Sequence, residues 1–129
     1  SFNPEVAKLC NRRHVAYVPG CSTPTEIAYA EELGADIFKI FPAEVLTSKF
    51  IKNILGPCPW LKLMPSGGLE PKKEVVEEWI SAGAVALNMG TSLLRPDLIK
   101  AGDYETLKKK VEECLQYIRE AKTKTKKQK

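Results

Sequence analysis

Four short apolar runs recur along the chain at intervals of roughly twenty-odd residues: His14 to Val18 (HVAYV), Ile37 to Phe41 (IFKIF), Leu61 to Met64 (LKLM) and Ala84 to Met89 (AVALNM). Each is too short for a helix and runs into a turn signal, respectively Pro19-Gly20, Pro42, Pro65 with Gly67-Gly68, and Gly90. Short, β-branched or aromatic runs bounded in this way predict buried strands.

The stretches between them carry helical signals. Pro4 to Asn11 follows Asn3 as a cap and puts Pro at the first helical position. Thr23-Pro24-Thr25-Glu26 opens a helix with a capping-box pattern, presents Ile27, Ala30 and Leu33 on one face, and stops at Gly34. Ser48 to Leu55 places Phe50, Ile51, Ile54 and Leu55 at helical spacing, and Pro71 to Ala82 does the same with Val75, Val76, Trp79 and Ile80. A final amphipathic helix, about Asp103 to Ala121, carries Leu107, Val111, Cys114, Leu115 and Ile118 toward the core.

The order is one helix, then strand and helix four times. Near-continuous apolar strands alternating with helices imply an α/β fold with a parallel sheet, either doubly wound or part of a TIM (β/α)8 barrel. A closed barrel takes about 250 residues and rarely fewer than ~200, whereas this chain has 129. The expectation is therefore a partial barrel over residues 1–121 and a disordered Lys-rich tail over 122–129. Ser1 opens the chain without an initiator Met, which fits a processed or a partial chain.

Charge and cysteine content narrow the function classes. The last eight residues hold five of the 20 Lys and Arg, so the rest of the chain is nearly balanced against 16 acidic groups. A frayed, solvated terminus accounts for that tail, and no Arg cluster or interleaved aromatic supports nucleic-acid binding. Cys10, Cys21, Cys58 and Cys114 form no C-x-x-C pair, and reduced thiols are expected. His14 is the only histidine, which removes His-based triads and multi-His metal sites. No apolar stretch is long enough to span a membrane and no signal sequence opens the chain, so it reads as a soluble cytoplasmic protein. Any catalysis must rest on Lys, Ser or Thr, carboxylates or backbone groups.

Lys39 is the most informative residue. Strand alternation puts Ile37, Lys39 and Phe41 on one face and Phe38 and Ile40 on the other, near the strand's C-terminal end, where barrel active sites lie. Desolvation there favours the free amine, a Schiff-base nucleophile toward a carbonyl. The competing reading is a lysine whose stem is buried and whose head reaches water. Pro65-Ser66-Gly67-Gly68 and Gly90-Thr91-Ser92 each follow a predicted strand. Glycines there let backbone N–H groups approach an anion, with serine hydroxyls as added donors, although ordinary strand-to-helix turns use the same residues. Glu44 fits either an acid–base group or a first-turn carboxylate facing a helix dipole.

The segments Pro19-Gly20-Cys21-Ser22-Thr23-Pro24-Thr25-Glu26, Phe38-Lys39-Ile40-Phe41-Pro42-Ala43-Glu44, Pro65-Ser66-Gly67-Gly68 and Gly90-Thr91-Ser92-Leu93-Leu94 resemble, in order and spacing, the C-terminal half of 2-keto-3-deoxy-6-phosphogluconate and 4-hydroxy-2-oxoglutarate aldolases. The resemblance runs from about Ser1 to Ala121 and implies helix 4 to helix 8 of a TIM barrel whose N-terminal half is missing. It implies a metal-free class I aldolase without a cofactor, in which Lys39 forms the imine, Phe41 walls the pyruvate pocket, and Ser66, Gly67, Gly68 and Ser92 hold the substrate phosphate. The family usually has Thr at the position of Ser66, which keeps the hydroxyl, and often Gly at that of Thr91. It further implies a homotrimer and a first barrel half carrying the general acid–base glutamate and a carboxylate-binding arginine, without which this piece is inactive. Two alternatives stand beside it: a phosphate-binding isomerase or epimerase in which Lys39 acts by its charge, and a non-catalytic fragment or assembly subunit.

Overall fold

A computed structural model describes residues 1–127. In chain order the elements are α1 (Pro4–Arg12), β1 (Gly20–Cys21), α2 (Pro24–Glu32), β2 (Phe38–Ile40), α3 (Ala43–Leu55), β3 (Leu63–Pro65), α4 (Lys73–Ser81), α5 (Pro96–Ala101) and α6 (Tyr104–Lys127). The strands form a parallel sheet in the order β1-β2-β3, with Gly20 opposite Lys39 and Lys39 opposite Met64.

The local signals hold where they are chemically specific. Asn3 caps α1 through its side-chain oxygen, and Thr23 with Glu26 closes a reciprocal capping box on α2. Such caps satisfy helix-end N–H groups and each contributes about 1 kcal/mol. Helix α3 is broken at Thr47 (φ 63°), so Ser48–Leu55 is its second piece and Ala43–Leu46 a separate first turn. Helix α5 was not expected. Its six residues are too few to show a period, and its signals are Pro96 at the start and Gly102, left-handed, at the end.

Two of the four expected strands are not regular strands. His14 to Val18 lies outside the sheet, whose first strand is instead Gly20–Cys21. The run's valines stay exposed, Val15 at 57%, because among the described residues no neighbouring strand lies on that side to cover them. Ala84 to Met89 runs beside β3 but pairs with it only intermittently, through Val85 N–H to the Leu63 carbonyl (3.0 Å), Asn88 N–H to the Pro65 carbonyl (3.0 Å) and a parallel Ser66–Asn88 bridge.

The core lies on one face of the sheet. Phe38, Ile40 and Leu63 pack there with Ile27 and Ala30 of α2, Ile51 of α3 and Trp79 of α4. A second cluster joins Val76 and Ile80 of α4 to Cys114 and Ala121 of α6. Lys39 and Met64 lie on the opposite face and are only half-buried. Leu115, expected over the core, is 48% exposed, since it lies one residue round the helix from Cys114 and turns off the buried stripe.

The Lys-rich tail departs from its expected disorder. Helix α6 continues through Lys127, and Lys122 Nζ donates to the Val85 carbonyl at 3.1 Å while Lys124 pairs with Glu77 of α4 at 2.6 Å. With Lys73–Glu120 (3.1 Å) these contacts stitch α6 to α4 and to the segment that follows it. Exposed pairs of this kind contribute little each, about 0–1 kcal/mol, so burial of Ala121 against α4 does more to keep the last turns helical. The end of the expected tail, residues 128–129, lies outside the described residues.

Candidate functional site

The loops that follow the strands at their C-terminal ends are tied to one another in sequence. The segment after β1 meets that after β2 through Ser22 Oγ, which donates to the Phe41 carbonyl at 2.6 Å. The segment after β2 meets that after β3 through Ala43 N–H and the Ser66 carbonyl, at 2.8 Å. The loop after β3 meets the next through Ser92 Oγ, which donates to the Leu69 carbonyl at 2.6 Å. Side chains brought to this edge therefore share one rigid rim.

Five of the six residues singled out by the sequence line a single cleft of about 540 Å3: Lys39, Ser66, Gly67, Gly68 and Ser92. The sixth, Phe41, lines an adjoining cleft of about 420 Å3 with Ser22, Glu26 and again Lys39. Lys39 is thus common to both, with Nζ 5.1 Å from the Phe41 ring centroid, a distance at which a cation interacts with a ring face. Lys39 is half-buried rather than enclosed by apolar side chains. Asn88 also lines the larger cleft. It was overlooked in the sequence because it sits inside an apolar run, and the available signal was one amide among hydrophobic neighbours near a strand end. Glu70 lines the cleft too, held by Lys72 at 2.7 Å.

The Ser66-Gly67-Gly68 turn is built for close approach. Ser66 is buried, its N–H donating to the Ile40 carbonyl at 2.9 Å. Gly67 (φ +96°) and Gly68 (φ +71°) are both left-handed, a region open to glycine at little cost. A Cβ on Gly67 would meet the Phe41 ring at 3.1 Å, and one on Gly68 would overlap the Glu44 side chain. Glu44 therefore packs against the glycine turn. Among the described residues the N–H groups of Gly68 and Ser92 donate to no protein acceptor, leaving them free for an anion. Gly68→Ala should lower stability by about 1–3 kcal/mol from its backbone region alone. Gly90→Ala, where nothing lies within 4 Å, should change it by less than about 0.5 kcal/mol. Chemical denaturation of the two variants checks the contrast.

The adjoining cleft is framed by a carboxylate. Glu26 Oε2 accepts from Ser22 N–H at 2.7 Å, Thr23 N–H at 2.9 Å and the Thr23 hydroxyl at 3.0 Å. These donors, Ser22 N–H foremost, favour the charged form and hold the Glu26 carboxyl below its ordinary value of 4.5. A depressed folded-state value contributes stability that is present above the unfolded value and lost as pH falls through the folded one. Acid titration below about pH 4.5 should therefore weaken the β1–α2 junction, and Glu26→Gln should flatten that part of the stability profile measured by thermal melting. Cys21 is buried beside this junction, and burial pushes its thiol up to about 11, which leaves it protonated and a poor nucleophile near neutral pH. Among the described residues no cluster of three His, Cys, Asp or Glu side chains could hold a metal ion, and no helix is long and apolar enough to cross a membrane.

Comparison with known proteins gives a consistent answer. The family model described as KDPG and KHG aldolase matches residues 1–110. The chain is 29% identical over 119 residues to the 2-dehydro-3-deoxy-phosphogluconate aldolase of Haemophilus influenzae, covering 92% of this chain and 55% of that protein. It is 34% identical over 97 residues to the 2-dehydro-3-deoxy-6-phosphogalactonate aldolase of Escherichia coli K12, covering 71% and 46%. The solved native KDPGal structure superposes with a TM-score of 0.77 at 26% identity, covering 94% of this chain and 56% of that one. The chain spans about half the length of the curated relatives it matches.

Proposed function

The chain belongs to the KDPG and KHG aldolase family, and from that premise we propose that it carries the imine-forming and phosphate-binding part of a class I aldolase. The observation that supports this most is the shared position of Lys39: one amine borders both the cleft lined by Ser66, Gly67, Gly68 and Ser92 and the cleft walled by Phe41. A 2-keto acid with a phosphate at its far end needs that arrangement, a nucleophile at the ketone and an anion cradle several bonds away.

In this reading Lys39 Nζ adds to the substrate C2 carbonyl, and loss of water gives a protonated imine. A base removes the C4 hydroxyl proton, the C3–C4 bond breaks, and its electron pair flows into the imine to leave an enamine and an aldehyde. Protonation of the enamine at C3 followed by hydrolysis releases pyruvate and regenerates the amine. The aldehyde is glyceraldehyde 3-phosphate from 2-keto-3-deoxy-6-phosphogluconate and glyoxylate from 4-hydroxy-2-oxoglutarate. The hydroxyl of Ser66, the Gly67 backbone and the free N–H groups of Gly68 and Ser92 hold the phosphate in the first case.

The complementary barrel half belongs to the same proposal. The open face bearing Lys39 and Met64, the exposed valines of the first apolar run and the half-length match to the relatives support a second set of strands that closes the barrel, supplies the general base and binds the pyruvate carboxylate. Incubating the full-length protein with pyruvate and borohydride tests the central step. The expected result is a mass increase of one reduced pyruvate adduct on the peptide carrying Lys39, and an unmodified peptide under turnover conditions rejects the proposal.

A further inference from the structure

We infer that Ser22 is a positioning residue for Phe41 and Lys39, standing in for a rung that the parallel sheet loses where β1 turns into α2; the catalytic part of this inference rests on the aldolase reading above. The ladder between these strands runs through Lys39 N–H to the Pro19 carbonyl at 2.8 Å and Phe41 N–H to the Cys21 carbonyl at 3.2 Å. Evenly spaced parallel pairing would next put the Thr23 N–H on the Phe41 carbonyl. That donor is already taken, because Thr23 is the N-cap of α2 and its N–H lies on Glu26 Oε2. Residue 42 is proline, so the peptide that follows Phe41 has no N–H of its own. The Ser22 hydroxyl fills the gap, donating to the orphaned carbonyl at 2.6 Å.

Ser22 can do so because it is itself fixed. Its N–H is held by the Glu26 carboxylate at 2.7 Å, so the α2 capping box sets the backbone from which the hydroxyl projects. The Phe41 peptide is then gripped from both sides, by Cys21 at its N–H and by Ser22 at its carbonyl. Its ring, half-exposed, packs on one side over the Gly67 turn, and the orientation of this peptide sets where the ring stands relative to Lys39 Nζ. Ser22, Phe41 and Lys39 line the same cleft. The capping box does not require a hydroxyl at this place, since Thr23 supplies the cap.

Two readouts in the full-length protein test the inference. Reductive methylation with labelled formaldehyde puts an NMR probe on Lys39, and its resonance, assigned by loss in Lys39→Arg, reports the Phe41 ring current against a Phe41→Leu reference. Ser22→Ala should move the resonance toward the Phe41→Leu position and slow pyruvate trapping on unmethylated protein about tenfold, the scale expected when a reacting group is slightly misplaced. Ser22→Thr, which keeps the hydroxyl, should restore both, whereas Ser22→Cys, a weak donor of similar shape, should follow Ala. Ser48→Ala removes a hydroxyl bond to Glu78 (2.6 Å) remote from the cleft and should leave both readouts unchanged. An unmoved resonance in Ser22→Ala, a moved resonance with parental trapping, or failure of Ser22→Thr to restore either readout overturns the inference. If the parent protein traps no pyruvate, the aldolase reading falls, and the resonance decides the positioning role by itself.

Discussion

Lys39→Arg should abolish pyruvate trapping and lower aldol cleavage by at least about a thousandfold, the scale of loss when a covalent nucleophile is removed. The arginine variant is more informative than alanine. A guanidinium keeps the positive charge and much of the stem, so its contact with the Phe41 ring (5.1 Å from Nζ in the parent) survives in kind. It stays protonated and cannot add to a ketone as an amine does. A lysine that served only to attract the substrate's anionic groups would tolerate the change with about a tenfold loss or less. Cleavage assays with 2-keto-3-deoxy-6-phosphogluconate, run beside borohydride trapping, separate the two roles. Activity retained in Lys39→Arg sinks the imine mechanism.

Phe38→Ala should cost about 3–5 kcal/mol, the usual range for deleting a buried aromatic side chain. Phe38 is 2% exposed and sits with Ile40, Ile27 and Leu63 beneath the helices. That loss is comparable with the whole stability of many domains. It corresponds to a fall of about 2 M in the urea midpoint for a slope of ~2 kcal/mol per M. The neighbouring substitution Lys39→Ala, on the other face, should leave the midpoint nearly unchanged. Urea unfolding of both variants measures the alternation directly: similar losses at 38 and 39 would mean that the two faces of β2 are not distinct.

Much of the site was legible because it rests on local chemistry. The F-K-I-F-P-A-E segment points to strand, exit and candidate nucleophile together, and the alternation that sends Phe38 inward and Lys39 outward follows from two-residue periodicity. The Ser66-Gly67-Gly68 turn was readable for the same reason, since adjacent glycines after a strand point to left-handed backbone. Asn88, the Glu44–Gly68 contact and the Ser22–Phe41 bond were not. Each pairs residues whose proximity depends on how neighbouring strands are set side by side.

The sequence by itself determined the helix caps, the α/β alternation, the family and the identity of the candidate nucleophile, because these depend on residue types at short spacing. Only the tertiary structure decided which apolar runs become strands. His14 to Val18 and Ala84 to Met89 have strand composition, but strand geometry needs hydrogen-bonding partners along the run, and at the margins of this sheet partners are few. The fate of the lysine-rich end was likewise a tertiary matter. Its composition reads as a frayed tail, yet Ala121 finds α4 to bury against and Lys124 finds Glu77, and helical stability comes mainly from such packing rather than from intrinsic propensity.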